Sequence, residues 1–177
     1  MSTSPEPTDR PLSLALVGPM AAGKTSVGRK VARLLHVPFT DTDRRVVAEH
    51  GPIPRIFAEE GEARFREYER AAVAAALAEG GVVSLGGGAV TDAGTRALLR
   101  RYPVVFLTVS ADAVARRIRS AGRPLLDGEE DPVERWRTIF AARRDWYEEV
   151  ADLTVDTSRQ PMRILAESIA AWRKEQQ

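Results

Sequence analysis

Short apolar runs alternate along the chain with longer segments of helical periodicity, and this alternation limits the possible fold more than any other feature. The apolar runs predict strands at residues 12–17, 39–42, 82–85, 104–109 and 153–156. The helical patterns lie at residues 24–35, 53–60, 62–79, 92–100, 111–119, 132–147 and 161–176. Strands that alternate with helices in this way pair in parallel and are covered on both faces. The sequence therefore predicts a three-layer α/β/α fold with a five-stranded parallel sheet.

The chain has 177 residues, a length that suits one domain, which we place at residues 11–177. Residues 1–10 are polar, contain proline and lack the apolar core of a signal peptide, so we expect a disordered leader. We therefore expect the protein to be cytoplasmic. Monomer is the default expectation for its oligomeric state.

Composition narrows the choice of partners. The 26 basic and 25 acidic residues give a net charge of +1, which provides no bulk attraction for nucleic acid or an anionic membrane. No apolar stretch is long enough to span a bilayer, so neither partner is expected. Cysteine is absent and only two histidines occur, which excludes disulfides, thiol catalysis and a histidine metal cluster.

Residues 18–25 read Gly-Pro-Met-Ala-Ala-Gly-Lys-Thr and match the pattern G-x-x-x-x-G-K-[ST] between a predicted strand and a predicted helix. We call this segment the phosphate loop, because its backbone amides and the following helix N-terminus suit the phosphates of ATP. Lys24 is expected to reach the β- and γ-phosphates, and the Thr25 hydroxyl to bind Mg²⁺. The nucleotide-binding residues predicted here are Ala21, Ala22, Gly23, Lys24, Thr25 and Ser26. The loop alone does not decide whether the phosphoryl group goes to water, a protein or a small molecule.

Two carboxylates, Asp41 and Asp43, mark the end of the second predicted strand, where ligands gather in open α/β sheets. Period-two geometry would point both side chains the same way. A helix N-cap followed by a turn explains the pair equally well. Three glycines, Gly86–Gly88, follow the third predicted strand and would let backbone amides approach a ligand; we call them the glycine loop.

Two further segments are ambiguous by themselves. Arg66 lies in a strongly charged helical run that, taken alone, is more typical of a solvated helix face with i,i+4 ion pairs. Residues 120–131 are rich in glycine, proline and charge, a composition that predicts a mobile lid over an active site.

Taken in order, these features resemble those of shikimate kinases. The shared elements are the phosphate loop, Asp-Thr-Asp at 41–43, Phe-Arg at 65–66, Ser-Leu-Gly-Gly-Gly-Ala-Val at 84–90, Arg-Pro-Leu-Leu at 123–126 and a late arginine before Trp-Tyr. The resemblance runs from about residue 12 to residue 173 and is specific in its combination. It implies a nucleoside-monophosphate-kinase-like fold and ATP-dependent phosphorylation of the 3-hydroxyl of shikimate, in chorismate and aromatic amino-acid biosynthesis.

The resemblance also implies roles for the acceptor-site residues. Asp43 would bind the shikimate hydroxyls, Arg66 and Arg143 would hold its carboxylate, and the glycine loop would lie beside it. These roles are physically reasonable. A planar guanidinium donates paired hydrogen bonds to a carboxylate, and a carboxylate accepts hydrogen bonds from neighbouring hydroxyls. Catalysis would then rest on Lys24, Asp43 and Arg123.

On the nucleotide side, the resemblance implies that Asp41 reaches Mg²⁺ through water and that the lid residue Arg123 closes over the phosphates. Arg117 would stack on adenine, and the loop that contains Arg159 would grip the other side of the base.

One departure from the family is Ala21, where the phosphate loop usually has glycine; a methyl group there is costly if φ is positive. Two rival interpretations remain. A gluconate kinase shares the fold and the phosphate loop but does not need two arginines for a carboxylated ring. A catalytically silent nucleotide-binding module acting through a partner protein would not show ATP turnover that depends on shikimate.

Overall fold

The computed structural model describes residues 13–120 and 131–176. Five parallel strands form one sheet in the order β2-β3-β1-β4-β5. Their bounds are β1 Ser13–Val17, β2 Phe39–Asp41, β3 Gly81–Ser84, β4 Val104–Thr108 and β5 Leu153–Asp156. The predicted five-stranded parallel α/β fold is confirmed.

Helices connect the strands. They are α1 Lys24–Leu35, α2 Thr42–His50, α3 Ile53–Glu59, α4 Glu62–Glu79, α5 Ala93–Leu99, α6 Ala111–Ser120, α7 Pro132–Val150 and α8 Met162–Glu175, with a 3₁₀ turn at Ala89–Thr91. All seven predicted helices occur within a few residues of their predicted bounds. Helix α2 was not predicted.

Helix α2 begins because Asp41 caps it. One Asp41 carboxylate oxygen accepts the backbone N–H groups of Asp43 (3.1 Å) and Arg44 (3.2 Å), which satisfies two of the free donors at the helix start. Strand β2 therefore ends at Asp41 and Asp43 lies in the first turn of α2. The prediction that both carboxylates share one strand was wrong, and the alternative of an N-cap at Asp41 was right.

Two apolar cores cover the two faces of the sheet. Alternate residues of β1 supply them: Leu14 and Leu16 pack with α1, α6 and α8, whereas Ala15 and Val17 pack with α4, α5 and α7. A third cluster, formed by Val46, Ile56, Phe65 and Ala72, joins α2, α3 and α4.

Strand β1 lies between β3 and β4, so the phosphate loop leaves the sheet where the strand order reverses. This is the crevice where open parallel sheets bind ligands. The predicted leader, residues 1–10, lies outside the described residues. So do residues 121–130 of the predicted lid, which include Arg123. In the described ranges, no helix combines the length and the apolar character needed to cross a bilayer.

Candidate active site

The phosphate loop joins β1 to α1, as predicted, and both of its glycines are required by geometry. Gly23 caps α1 with φ 86°, a value that favours glycine. Gly18 has φ 148°, and a Cβ there would collide with the carbonyl oxygen of Leu107 in β4. The loop is thus packed directly against the neighbouring strand.

Three side chains from distant elements hold consecutive carbonyls of the phosphate loop. Trp136 Nε1 donates to the Met20 carbonyl (2.9 Å) and Thr157 Oγ1 to the Ala22 carbonyl (2.8 Å). The Arg117 guanidinium donates to the Ala21 carbonyl between them and to the Thr157 carbonyl. These bonds fix the orientation of the loop backbone.

Ala21 adopts φ 63°, the left-handed conformation that the sequence left open. This conformation costs a residue with a Cβ about 1–2 kcal/mol. The fixed orientation of its carbonyl keeps Ala21 there.

Replacing Ala21 with glycine is expected to stabilise the protein. Relief of the left-handed strain outweighs the extra entropy of the unfolded chain, for a net gain of about 0.5–1 kcal/mol and a Tm rise of about 1–4 °C. Thermal unfolding measures this. The matched control is Ala22→Gly, because Ala22 is fully buried and is not among the positive-φ residues, so its loss should lower Tm. An unchanged or lower Tm for Ala21→Gly would contradict the strain.

Lys24 lies in the cleft with its ammonium group turned onto the loop. Its Nζ donates to the carbonyls of Gly18 (2.8 Å) and Pro19 (2.9 Å). Burial lowers the pKa of Lys24 from 10.5 to about 8, although the charges of Asp43 and Asp41 act in the opposite direction. An added negative charge, such as a phosphate, would therefore stabilise the protonated form of Lys24.

The two predicted metal ligands are brought together. Thr25 Oγ1 donates to Asp41 Oδ2 at 3.0 Å, while the other Asp41 oxygen caps α2. Hydroxyl and carboxylate oxygens are ligands that Mg²⁺ prefers, so the donor set fits that ion. These residues line a cleft of about 270 Å³. The residues that line it are Ala21, Gly23, Lys24, Thr25, Ser26, Asp41, Asp43, Ser84 and Leu85.

Two positions of the glycine loop, Gly86 and Gly88, are crowded by charged side chains. A Cβ on Gly86 would lie 2.5 Å from Asp43 Oδ1 and 2.8 Å from Glu69 Oε1. A Cβ on Gly88 would lie 2.5 Å from Arg66 Nη1. The buried Thr42 hydroxyl accepts the Gly86 N–H at 3.2 Å and ties the loop to the start of α2.

Glu69 is a site residue that sequence reasoning missed. It is only 3% exposed, and its Oε2 accepts a hydrogen bond from Arg66 Nη1 at 2.6 Å. Burial raises the pKa of Glu69, while Arg66 opposes that rise. The i,i+3 spacing of the pair and the position of Glu69 four residues after Phe65 were visible in the sequence, but the charged run was interpreted as a solvated face.

Asp43 lies among these charges. Burial raises the pKa of Asp43, the neighbouring Asp41 raises it further, and Lys24 and Arg66 oppose the rise. A carboxylate with a raised pKa in a cleft is suited to accept a proton or a strong hydrogen bond.

Arg143 reaches the same place from α7. A Cβ built on Gly87 would lie 3.9 Å from Arg143 Nη1. The charges of Arg143 and Arg66 both act on Glu69 and on the buried hydroxyl of Tyr147. The structure therefore brings together the predicted acceptor residues Asp43, Arg66 and Arg143 around the glycine loop.

The other predicted nucleotide residues are less closely grouped. Arg117 contacts the phosphate loop and Thr157, so it lies at the nucleotide side of the cleft, and its stacking on adenine stays a prediction. Arg159 is exposed in the segment after β5. Arg123 lies outside the described residues.

Comparison with known proteins agrees with this geometry. A family model described as shikimate kinase matches residues 20–173. A shikimate kinase of Corynebacterium efficiens is 44% identical over 161 residues, covering 89% of this chain and 94% of that protein. The chain belongs to the shikimate kinase family. The solved structure of the Acinetobacter baumannii shikimate kinase in complex with shikimate is 37% identical, has a TM-score of 0.82 and covers 96% of each chain.

Shikimate kinases share their fold with other small kinases. A gluconokinase from Sinorhizobium meliloti superposes with a TM-score of 0.61 at 20% identity, a likeness that concerns the fold alone. Membership of the shikimate kinase family identifies this chain as an ATP-dependent kinase with a phosphate-loop fold.

Proposed function

We propose that the chain transfers the γ-phosphoryl group of ATP to the 3-hydroxyl of shikimate, giving ADP and shikimate 3-phosphate. The observation that carries this proposal is the position of Gly87. A Cβ there would lie 3.6 Å from Gly18 O and Met20 N of the phosphate loop, and 3.9 Å from Arg143 Nη1. The phosphate loop and a guanidinium suited to a carboxylate thus flank the same glycine, so donor and acceptor can meet there.

The acceptor pocket matches a polyhydroxy acid. Arg66 and Arg143 supply planar, permanently charged donors for a carboxylate. Asp43 accepts from the substrate hydroxyls and orients the attacking one, and its raised pKa favours taking up the proton that the hydroxyl releases.

On the donor side, backbone amides of the phosphate loop and the Lys24 ammonium would bind the phosphates, and Thr25 and Asp41, which are joined by a hydrogen bond, would hold Mg²⁺. When bound, Mg²⁺ neutralises charge on the transferring group. Arg123, Arg117 and Arg159 are assigned to the nucleotide through the family resemblance.

The setting proposed for this activity is a cytoplasmic monomer, with residues 11–177 acting as a single domain and residues 120–131 as a lid. Small molecules, shikimate and ATP, are its proposed partners, without nucleic acid or membrane. Formation of chorismate and the aromatic amino acids would consume the product.

The decisive assay measures ADP release with shikimate, gluconate or a nucleoside monophosphate as acceptor. Turnover with shikimate alone supports the proposal, whereas preference for gluconate would favour the rival kinase of the same fold. ADP binding without turnover on any acceptor would favour a catalytically silent module.

Nucleotide affinity is expected to fall above pH 8. Free Lys24 loses its proton near pH 8, while a bound polyanion keeps it protonated, so binding above that pH requires proton uptake. The association constant for ADP should then fall by up to about tenfold per pH unit. Calorimetric titration between pH 7 and 10 tests this. Lys24→Gln should bind weakly with a flatter profile, and an equally steep decline in that variant would contradict the role of Lys24.

A further inference from the structure

Helix α7 contacts both halves of the candidate active site from one face. Trp136, Phe140, Arg143 and Tyr147 are spaced by four, three and four residues, which places them on the same side of the helix. Trp136 packs into the core that contains α1 and α8, whereas Tyr147 packs into the core that contains α4 and α5. The helix thus runs from one core to the other past the cleft.

At its first end, α7 holds the phosphate loop. Trp136 is buried, and its Nε1 donates to the Met20 carbonyl at 2.9 Å. The indole ring stacks on Phe140 with a centroid distance of 5.1 Å.

Further along, α7 holds the glycine loop. Tyr147 is 1% exposed, and its hydroxyl donates to the Gly87 carbonyl. Its ring stacks on Phe106 of β4 at 5.2 Å. A buried hydroxyl on a rigid ring therefore orients the glycine loop.

We propose that Trp136 and Tyr147 are positioning residues that set the donor and acceptor loops relative to one another through one hydrogen bond each. This inference rests on the proposed kinase activity. Each ring carries a single polar atom, and that atom is used on a loop backbone rather than on another helix. Small errors in the relative placement of reacting groups strongly reduce the rate of transfer, so a rigid support shared by both loops serves the reaction.

The test compares Trp136→Phe with Tyr147→Phe, since each removes one donor and keeps an aromatic ring. Losing a hydrogen bond to a buried carbonyl costs about 5- to 30-fold in the property that depends on it. Trp136→Phe should raise the KM for ATP and the Kd for ADP while leaving the KM for shikimate within about twofold. Tyr147→Phe should raise the KM for shikimate and spare nucleotide binding, and kcat should fall in both.

Phe140→Leu is the matched control, because Phe140 packs between the two rings but has no hydrogen-bonding atom. It should lower Tm with little change in either KM. Two results would contradict the proposal. One is that each phenylalanine variant changes the KM for ATP and the KM for shikimate equally; the other is that both variants lower Tm and leave the kinetics unchanged. If Trp136→Phe fails to fold, Tyr147→Phe alone still decides the acceptor side. Absence of shikimate-dependent turnover in the unmodified protein would instead refute the proposed function, and nucleotide titration would still test Trp136.

Discussion

Asp43→Asn is expected to slow phosphoryl transfer by about 10²–10⁴-fold while making the protein more stable. The carboxylate is the proposed partner of the attacking hydroxyl, and such a group contributes about 10²–10⁴-fold to the rate. Burial and the neighbouring Asp41 also make its ionised form costly, as the raised pKa shows. Neutral asparagine should therefore gain about 0.5–2 kcal/mol in the free energy of unfolding at pH 7.

The pH dependence of this gain has a definite sign. Between the unfolded pKa of 3.8 and the higher folded pKa, the folded state binds more protons, so the stability of the unmodified protein falls as pH rises through that window. Position 43 no longer titrates in the variant, so the advantage of the variant should grow as pH rises through the window and be complete above it. Chemical unfolding at several pH values measures it. Asp145→Asn, at an exposed position on α7, is the control and should change neither property. A less stable Asp43→Asn would contradict the cost of the charge.

Replacing either acceptor arginine with glutamine is expected to lower kcat/KM for shikimate by about 100-fold or more, because each loses charge-assisted hydrogen bonds to the carboxylate. ADP affinity should be unchanged. Steady-state kinetics with shikimate and titration with ADP measure these two properties in each variant. Arg144→Gln is the control, since Arg144 is exposed and pairs with Glu148 on its own helix. Unchanged shikimate kinetics in Arg143→Gln would remove the proposed carboxylate site.

The two arginine variants should differ in the free energy of unfolding. Arg66→Gln leaves the buried Glu69 without its 2.6 Å partner, which costs up to about 3 kcal/mol. Arg143→Gln leaves the Arg66–Glu69 hydrogen bond in place, so its cost in stability should be smaller. Adding Glu69→Gln to Arg66→Gln should restore stability without restoring shikimate affinity. Full recovery of affinity in the double variant would show that Arg66 acts only through Glu69.

Local patterns were sufficient to predict the fold and the phosphate loop, whereas the acceptor-site roles of Arg66 and Arg143 came from the family resemblance. Buried β-strands read as short apolar runs, and the phosphate loop has its own spacing, so both are visible in sequence. Helix α2 was missed because Val46 is its only fully buried apolar residue, which leaves little periodicity over nine residues. Its signal was the N-cap at Asp41, which the strand interpretation outweighed.

Tertiary packing decided the rest. Glu69 follows Phe65 by four residues and precedes Ala72 by three, so helical periodicity puts it on the buried face of α4. That a carboxylate is accommodated on this face depends on Arg66 and on the glycine loop, which the α4 pattern does not show. The conformation of Ala21 depends on side chains from α6, α7 and the segment after β5. Trp136 and Tyr147 have a spacing typical of a helix core, and only the structure shows that their polar atoms meet the two loops.

The most direct test of the account is the product itself. Purified protein with ATP, Mg²⁺ and shikimate should convert the two substrates one for one, and phosphorus NMR with proton correlation should place a single phosphate ester on the oxygen at carbon 3. Release of inorganic phosphate without an ester, or an ester on another hydroxyl, would contradict an acceptor held by Asp43, Arg66 and Arg143 beside the phosphate loop.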